Sequence, residues 1–271
     1  MKFKSKIKHS YKKKVFNLSA NHPKLFGFIY RYFYKPENGS LSDFTSRFSK
    51  SLKNVTVVQI GANDGINNDP IHKFIRRDKW NGLLLEPQKY VYEKYLLPLY
   101  KNYNAITVIN AALDNVDGFK PIYKLAVSNS RWATGLTSFN RKVLEMAIDS
   151  GSVEKQAKKE GIVLPKNKKE YISEEKVLCI SPAMLLKQYK IDKLDWLQID
   201  TEGFDYEVIK MFNIEKTSPT VISYENMNLS ADDKKSCTEY LIKNNYRVRN
   251  FDGNTLAMKN PEEQFRRYFN E

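Results

Sequence analysis

The chain has 271 residues, 41% of them hydrophobic, with 45 Lys and Arg against 31 Asp and Glu and a formal net charge of +14. That length and apolar content suffice for a sizeable buried core, in one domain or one domain with an appendage, and exclude a wholly disordered chain. Two cysteines, Cys179 and Cys237, exclude a disulfide-built scaffold and are too isolated for a zinc site, and no apolar run approaches the roughly 18 residues of a membrane-spanning helix.

The charge is concentrated at the front. Residues 1–54 hold 13 Lys and Arg against only Glu37 and Asp43, which leaves +3 for the other 217 residues. The first 40 residues interleave lysines with Phe26, Phe28, Tyr32 and Phe33, and Pro36 and Gly39 close that stretch. Such a mixture suits an anionic membrane surface, a phosphate backbone, or a solvated tail followed by an aromatic helix packed on the domain. Its basic start has no apolar signal core, so the expected location is cytoplasmic, peripheral to the inner membrane face if the segment tethers the chain.

From residue 55 the pattern changes to short apolar runs separated by helix-length stretches. Val55–Ile60, Gly82–Leu85, Ile106–Asn110, Leu194–Ile199 and Val221–Tyr224 read as buried strands. Helices are expected over Pro70–Arg77, Gln88–Tyr100, Pro182–Lys190, Phe204–Met211 and Ala231–Asn244. The alternation predicts an α/β domain over 55–271, a doubly wound and mostly parallel sheet of the Rossmann-like type. Asp252-Gly253 between Tyr246–Asn250 and Thr255–Lys259 predicts a closing antiparallel hairpin. Residues 111–180 break the rhythm and read as an insertion beside the strand ends: a strand at Lys120–Val127, one amphipathic helix over Asn140–Glu160 and a short strand at Val177–Ile180.

Three motifs carry chemistry. The first strand runs into Gly61-Ala62-Asn63-Asp64-Gly65, a turn whose glycines permit sharp bends and close approach of a ligand. The second ends in Glu86, 25 residues after Gly61, a spacing that places a carboxylate to accept from both ribose hydroxyls of an adenosine ligand. Further on, one strand delivers Asp200 and Glu202 and the next delivers Glu225, so three acids should converge where the sheet opens. Crowding raises the pKa of at least one of them and makes a general base, unless a cation such as Mg²⁺ or Ca²⁺ sits between them. Asp205 and Glu207 read better as caps of the following helix. His72 reads as a surface or packing residue.

With Gln59–Gly65, Leu85-Glu86-Pro87, Thr134–Phe139, Ile199–Val208 and Ser223–Asn226 in this order, residues 55–250 resemble the FkbM-type methyltransferases, a branch of the S-adenosylmethionine-dependent class. The resemblance implies S-adenosylmethionine as cofactor and methyl transfer to a hydroxyl of a sugar, glycan or other small polar metabolite. It implies that Gly61, Asn63, Asp64 and Gly65 approach the methionine end and Glu86 holds the ribose. Asn110 and Ala111 would meet the adenine edge, and Thr134, Thr137 and Ser138 the acceptor. Two other functions fit the same fold. A nicotinamide-dependent oxidoreductase would reuse the turn and the ribose acid, but the GxGxxG form is absent. A nucleic-acid methyltransferase would suit the basic charge, but that charge is largely confined to residues 1–54, so nucleic acid is the less expected partner.

Overall fold

The computed structural model describes residues 13–269. A seven-stranded mixed sheet runs in the order β3-β2-β1-β7-β8-β10-β9. Its strands are β1 (Thr56–Ile60), β2 (Asn81–Leu85), β3 (Ile106–Ile109), β7 (Trp196–Ile199), β8 (Val221–Glu225), β9 (Tyr246–Phe251) and β10 (Asn254–Lys259). The first five are mutually parallel, and β10 lies antiparallel between β8 and β9. The expected hairpin is therefore present, with its second strand inserted beside β8.

Alternation along β1 explains why the sheet is covered on both faces. Val57 joins one apolar cluster with Leu84, Trp80, Trp196, Phe44 and Phe48, whereas Val58 and Ile60 join the other with Leu83, Leu85, Leu197 and Ile199. The helix Leu41–Ser51, capped by Ser40 Oγ accepting from Asp43 N–H at 3.1 Å, supplies Phe44 and Phe48 to the first cluster. The packed layer thus begins upstream of residue 55. A helix over 13–21 and the helix Pro23–Tyr32 lie further out, joined to the domain by His72. That imidazole is buried between Ser19 Oγ (2.9 Å) and the Tyr100 hydroxyl (2.8 Å), and desolvation holds its pKa well below the usual value.

The stretch 111–180 builds a second sheet, ordered β4-β6-β5, from β4 (Ala112–Leu113), β5 (Gly118–Leu125) and β6 (Ile172–Ile180). The helix expected over Asn140–Glu160 is two, Arg141–Asp149 and Ser152–Glu160, broken at Gly151, whose φ of 72° lies in the left-handed region. The short strand at Val177–Ile180 extends back to Ile172 because β6 pairs along its length with β5. The helix expected over Gln88–Tyr100 contains a π-helical turn at Tyr92–Leu96 before it resumes at Leu97–Tyr100, where Pro98 has no N–H to bond the Lys94 carbonyl. Among the described residues no helix is long and apolar enough to cross a membrane.

Candidate active site

The chain order reverses between β2 and β7, which flank β1, so a crevice opens at the carboxyl ends of these strands. Its walls include Gly61, Asn63, Glu86, Gln88 and Ala111 from the β1–β2–β3 side, Arg131, Thr134, Thr137, Ser138 and Phe139 from the insertion, and Asp200, Thr201, Glu202 and Phe204 after β7.

Gly61 has φ of 79°, and a Cβ there would lie 1.9 Å from the Asp200 carbonyl oxygen. The space its bare backbone leaves is thus filled by the end of β7 and not by a ligand. This close approach sets the turn beside Asp200, whose N–H donates to Ile60 O at 3.0 Å. Asn63 adopts φ of 47°, which turns its N–H onto Glu86 Oε2 at 2.8 Å. Glu86 Oε1 accepts from Gln88 N–H at 2.9 Å and from Gln88 Nε2 at 3.2 Å. The carboxylate is 2% exposed, and desolvation pushes its pKa up to about 7 against the lowering pull of the Gln88 and Asn63 N–H groups and Arg131. A carboxylate offers about four acceptor positions, so three are in use and one remains. Both ribose hydroxyls fit only if Gln88 Nε2, which also donates to Thr134 O at 2.9 Å, gives up its bond.

Three predicted cofactor residues are not on the cleft wall. The Asp64 carboxylate turns back to accept from the N–H groups of Ile66 and Asn67, at 3.0 and 2.7 Å, and from the Asn67 side chain. Gly65, with φ of 70°, packs under Leu96 and Leu99, where a Cβ would come within 3.0 Å. Asn110 donates to the carbonyls of Glu86 and Pro87, at 2.8 and 2.9 Å, and so fixes the end of β2. These three shape the turn and the strand end, a task that local spacing does not distinguish from ligand contact.

Asp200, Glu202 and Glu225 do converge: each offers a carboxylate oxygen, and these oxygens lie within 4.8 Å of one another. Glu202 has φ of 53°, and Asn228 Nδ2 bridges Glu202 Oε2 and Glu225 Oε2 at 2.7 and 3.0 Å. Desolvation raises all three pKa values. Repulsion from Asp200 and Glu225 adds to the shift of Glu202, which reaches about 8, and Asp200 adds to that of Glu225, which reaches about 7. Asp205 accepts from the Thr201 and Gly203 N–H groups, at 3.3 and 3.2 Å, and holds the loop that carries Glu202. A divalent cation could share the three oxygens. Arg131, on the same crevice, also brings a positive charge near them and pulls down the pKa of Glu86, Asp200, Glu202 and Glu225.

Sequence reasoning missed Arg131. It sits in the insertion at the start of a short helix, Arg131–Thr134. A Cβ on Gly135 would lie 2.4 Å from Arg131 Nη1 and 3.4 Å from Glu202 Oε1. Gln88, Asn228 and the ring pair Phe139–Phe204, with centroids 6.2 Å apart, were missed as well. Arg131 Nε and the hydroxyls of Thr137 and Thr201 are buried on this wall without hydrogen-bond partners among the described residues. Buried orphans of this kind cost free energy and fit a polar ligand that would satisfy them.

Three solved structures similar to this chain are methyltransferases. An FkbM methyltransferase from Methylobacillus flagellatus KT is 11% identical with a TM-score of 0.46, over 76% of this chain and 44% of that one. The chain thus spans under half the length of that relative. Precorrin-6y C5,15-methyltransferase from Geobacter metallireducens GS-15 is 12% identical, TM-score 0.39, over 84% and 95% of the two chains. An S-adenosylmethionine-dependent methyltransferase from Geobacter sulfurreducens, in complex with S-adenosyl-L-homocysteine, is 8% identical, TM-score 0.35, over 88% and 72%. No curated protein sequence matches the chain. The model of the methyltransferase FkbM domain matches residues 59–248, which carry the glycine turn, Glu86, the insertion and all three converging acids, and the chain belongs to that family.

Proposed function

We propose that the protein is an S-adenosylmethionine-dependent O-methyltransferase acting on a hydroxyl of a sugar, glycan or similarly polar small molecule. The observation that carries this reading is the meeting of Glu86 and the Gly61 turn with Asp200 and Glu202 in one crevice lined by unsatisfied polar atoms, with the Glu225 carboxylate beside Glu202. S-adenosylmethionine, when bound, supplies an activated methyl group. Glu86 would hold its ribose, and Ala111 would lie against its adenine. Arg131 offers a cation to an anionic group of either ligand.

The acceptor side follows from the chemistry of the walls. A hydroxyl gives up a proton as the new bond forms, and Glu202 is suited to take it: burial and two neighbouring carboxylates give it a pKa of about 8, close to working pH. Asp200 and Glu225 would accept further hydroxyl hydrogen bonds and fix the acceptor's orientation. Phe139 and Phe204 offer apolar faces suited to the C–H side of a sugar ring. Transfer of a labelled methyl group to a panel of glycans, followed by mass spectrometry, tests the proposal. Labelled sugar product supports it. Incorporation into RNA in preference to glycans, or binding of NAD with no binding of S-adenosylhomocysteine, overturns it.

A further inference from the structure

The amino edge of the sheet carries a second concavity. It lies between the helix Pro23–Tyr32 and the helix His72–Asp78, and Lys24, Arg31, Arg76, Arg77 and Lys79 line it with no acid among the lining residues. Gly27 allows the two helices to touch, since a Cβ there would lie 2.9 Å from the Arg76 carbonyl oxygen. Arg76 is 5% exposed. Its Nη2 bonds the Leu99 carbonyl and its guanidinium lies against the rings of Tyr100 and Tyr103, yet Nε and Nη1 are buried with no hydrogen-bond partner among the described residues. Arg77 is paired with Asp78 at 2.6 Å, so among the described residues the charge without an ion-pair partner rests on Arg76, Lys24, Arg31 and Lys79.

The same helix presents an apolar stripe to solvent. Leu25, Phe28 and Tyr32 are spaced three and four residues apart, on one face, and are 49%, 53% and 63% exposed, with Phe33 at 74% just beyond. Phe26 and Gly27 on the opposite face are buried. Lys24 and Arg31 border the stripe on the side of the groove. Upstream of Glu37 the chain has ten Lys and Arg and no acid. Neither the stripe nor the groove takes part in the site described above.

We propose that this face docks on an anionic phospholipid surface, with a headgroup phosphate in the groove at Arg76 and with Leu25, Phe28 and Tyr32 in the interface. Exposed Leu and Phe beside the cations favour a bilayer over a nucleic acid, whose phosphate backbone gives an aliphatic stripe nothing to bury. Lys79 precedes β2 and Ala105 precedes β3, so the groove lies at the strand ends opposite the catalytic crevice. A docked molecule keeps its crevice turned to water, and its acceptor arrives from the aqueous side. This inference does not depend on methyl transfer.

The full chain is tested by co-sedimentation with phosphatidylcholine vesicles, with and without phosphatidylglycerol, and by binding to a single-stranded RNA oligonucleotide. Of the two vesicle types, only the one with phosphatidylglycerol is expected to bind. Lys24→Ala/Arg31→Ala weakens it about 30-fold, at roughly fivefold per surface cation. Phe28→Ser/Tyr32→Ser, at exposed positions that leave the core intact, removes the binding that persists at high salt while leaving RNA binding unchanged. Equal sedimentation with both vesicle types overturns the proposal. So does vesicle binding unaltered in either double variant, or loss of RNA binding alone in Lys24→Ala/Arg31→Ala.

Discussion

Replacing Gly61 with Ala tests the contact on which the crevice is built. The added methyl falls 1.9 Å from the Asp200 carbonyl oxygen, where ordinary contact begins at 3.4 Å, so β1 and β7 must part by roughly 1.5 Å at their carboxyl ends. The hydrogen bond from Asp200 N–H to Ile60 O, now 3.0 Å, does not survive that movement. Stranding those buried groups costs about 1–3 kcal/mol, and a side chain at φ of 79° costs about 1–2 kcal/mol more, a total of about 4 kcal/mol. Gly39→Ala is the control. Its φ is 75°, but a Cβ there meets nothing within 4 Å, so only the backbone cost of about 1–2 kcal/mol applies. With a slope of roughly 2 kcal/mol/M in urea, the unfolding midpoint should fall by about 2 M for Gly61→Ala and by less than about 1 M for Gly39→Ala. Displacement of Asp200 should also weaken S-adenosylhomocysteine binding in the first variant alone. Equal midpoint shifts for the two variants would show that the Gly61–Asp200 contact does not hold the strand ends together.

Other consequences follow from the same carboxylates. The folded protein holds a proton on Glu86 up to about pH 7 that the unfolded chain loses near 4.5, so this group's contribution falls as pH rises through that window. Between pH 5.5 and 7.5 the wild type should lose on the order of 2 kcal/mol relative to Glu86→Gln, read from urea midpoints; parallel pH profiles would contradict it. With Glu202 near 8, kcat/KM should rise about fivefold from pH 7 to pH 8, as the ionised share grows from about a tenth to a half. Glu202→Gln should flatten that limb and lower the rate by about 10²–10⁴-fold, and Arg131→Ala should move the limb to higher pH. Chelation with EDTA should leave turnover unchanged if Arg131 is the counter-charge of the cluster; loss of activity restored by Mg²⁺ or Ca²⁺ would assign the three oxygens to a metal.

The legible parts of the sequence were those whose signal is local. Five parallel strands are apolar runs because helices cover both faces, and the acids that end β2, β7 and β8 stand out because a buried strand tolerates none until it emerges. Asp252-Gly253 announced the hairpin, but nothing local places β10 between β8 and β9, since pairing partners are chosen by tertiary packing. The wall of the crevice was half legible for the same reason. Arg131 lies in a stretch with no strand-end signature and reaches the acids only because β5 and β6 pair into a separate sheet beside them. Asp64 and Gly65 share a motif with Gly61 and Asn63, yet one caps a turn and the other packs beneath a helix. Spacing locates a turn, and side-chain direction within it is settled by what packs around it.

Whether the Gly61 turn and Glu86 form one pocket with Asp200 and Glu202 is decided by a crystal structure with S-adenosylhomocysteine. The expected result is a ribose hydroxyl on the Glu86 carboxylate, Gln88 Nε2 shifted from its present bond, and the sulfur turned toward Asp200 and Glu202. A nucleoside bound outside this crevice, or a crevice that stays closed at saturating ligand, would contradict it.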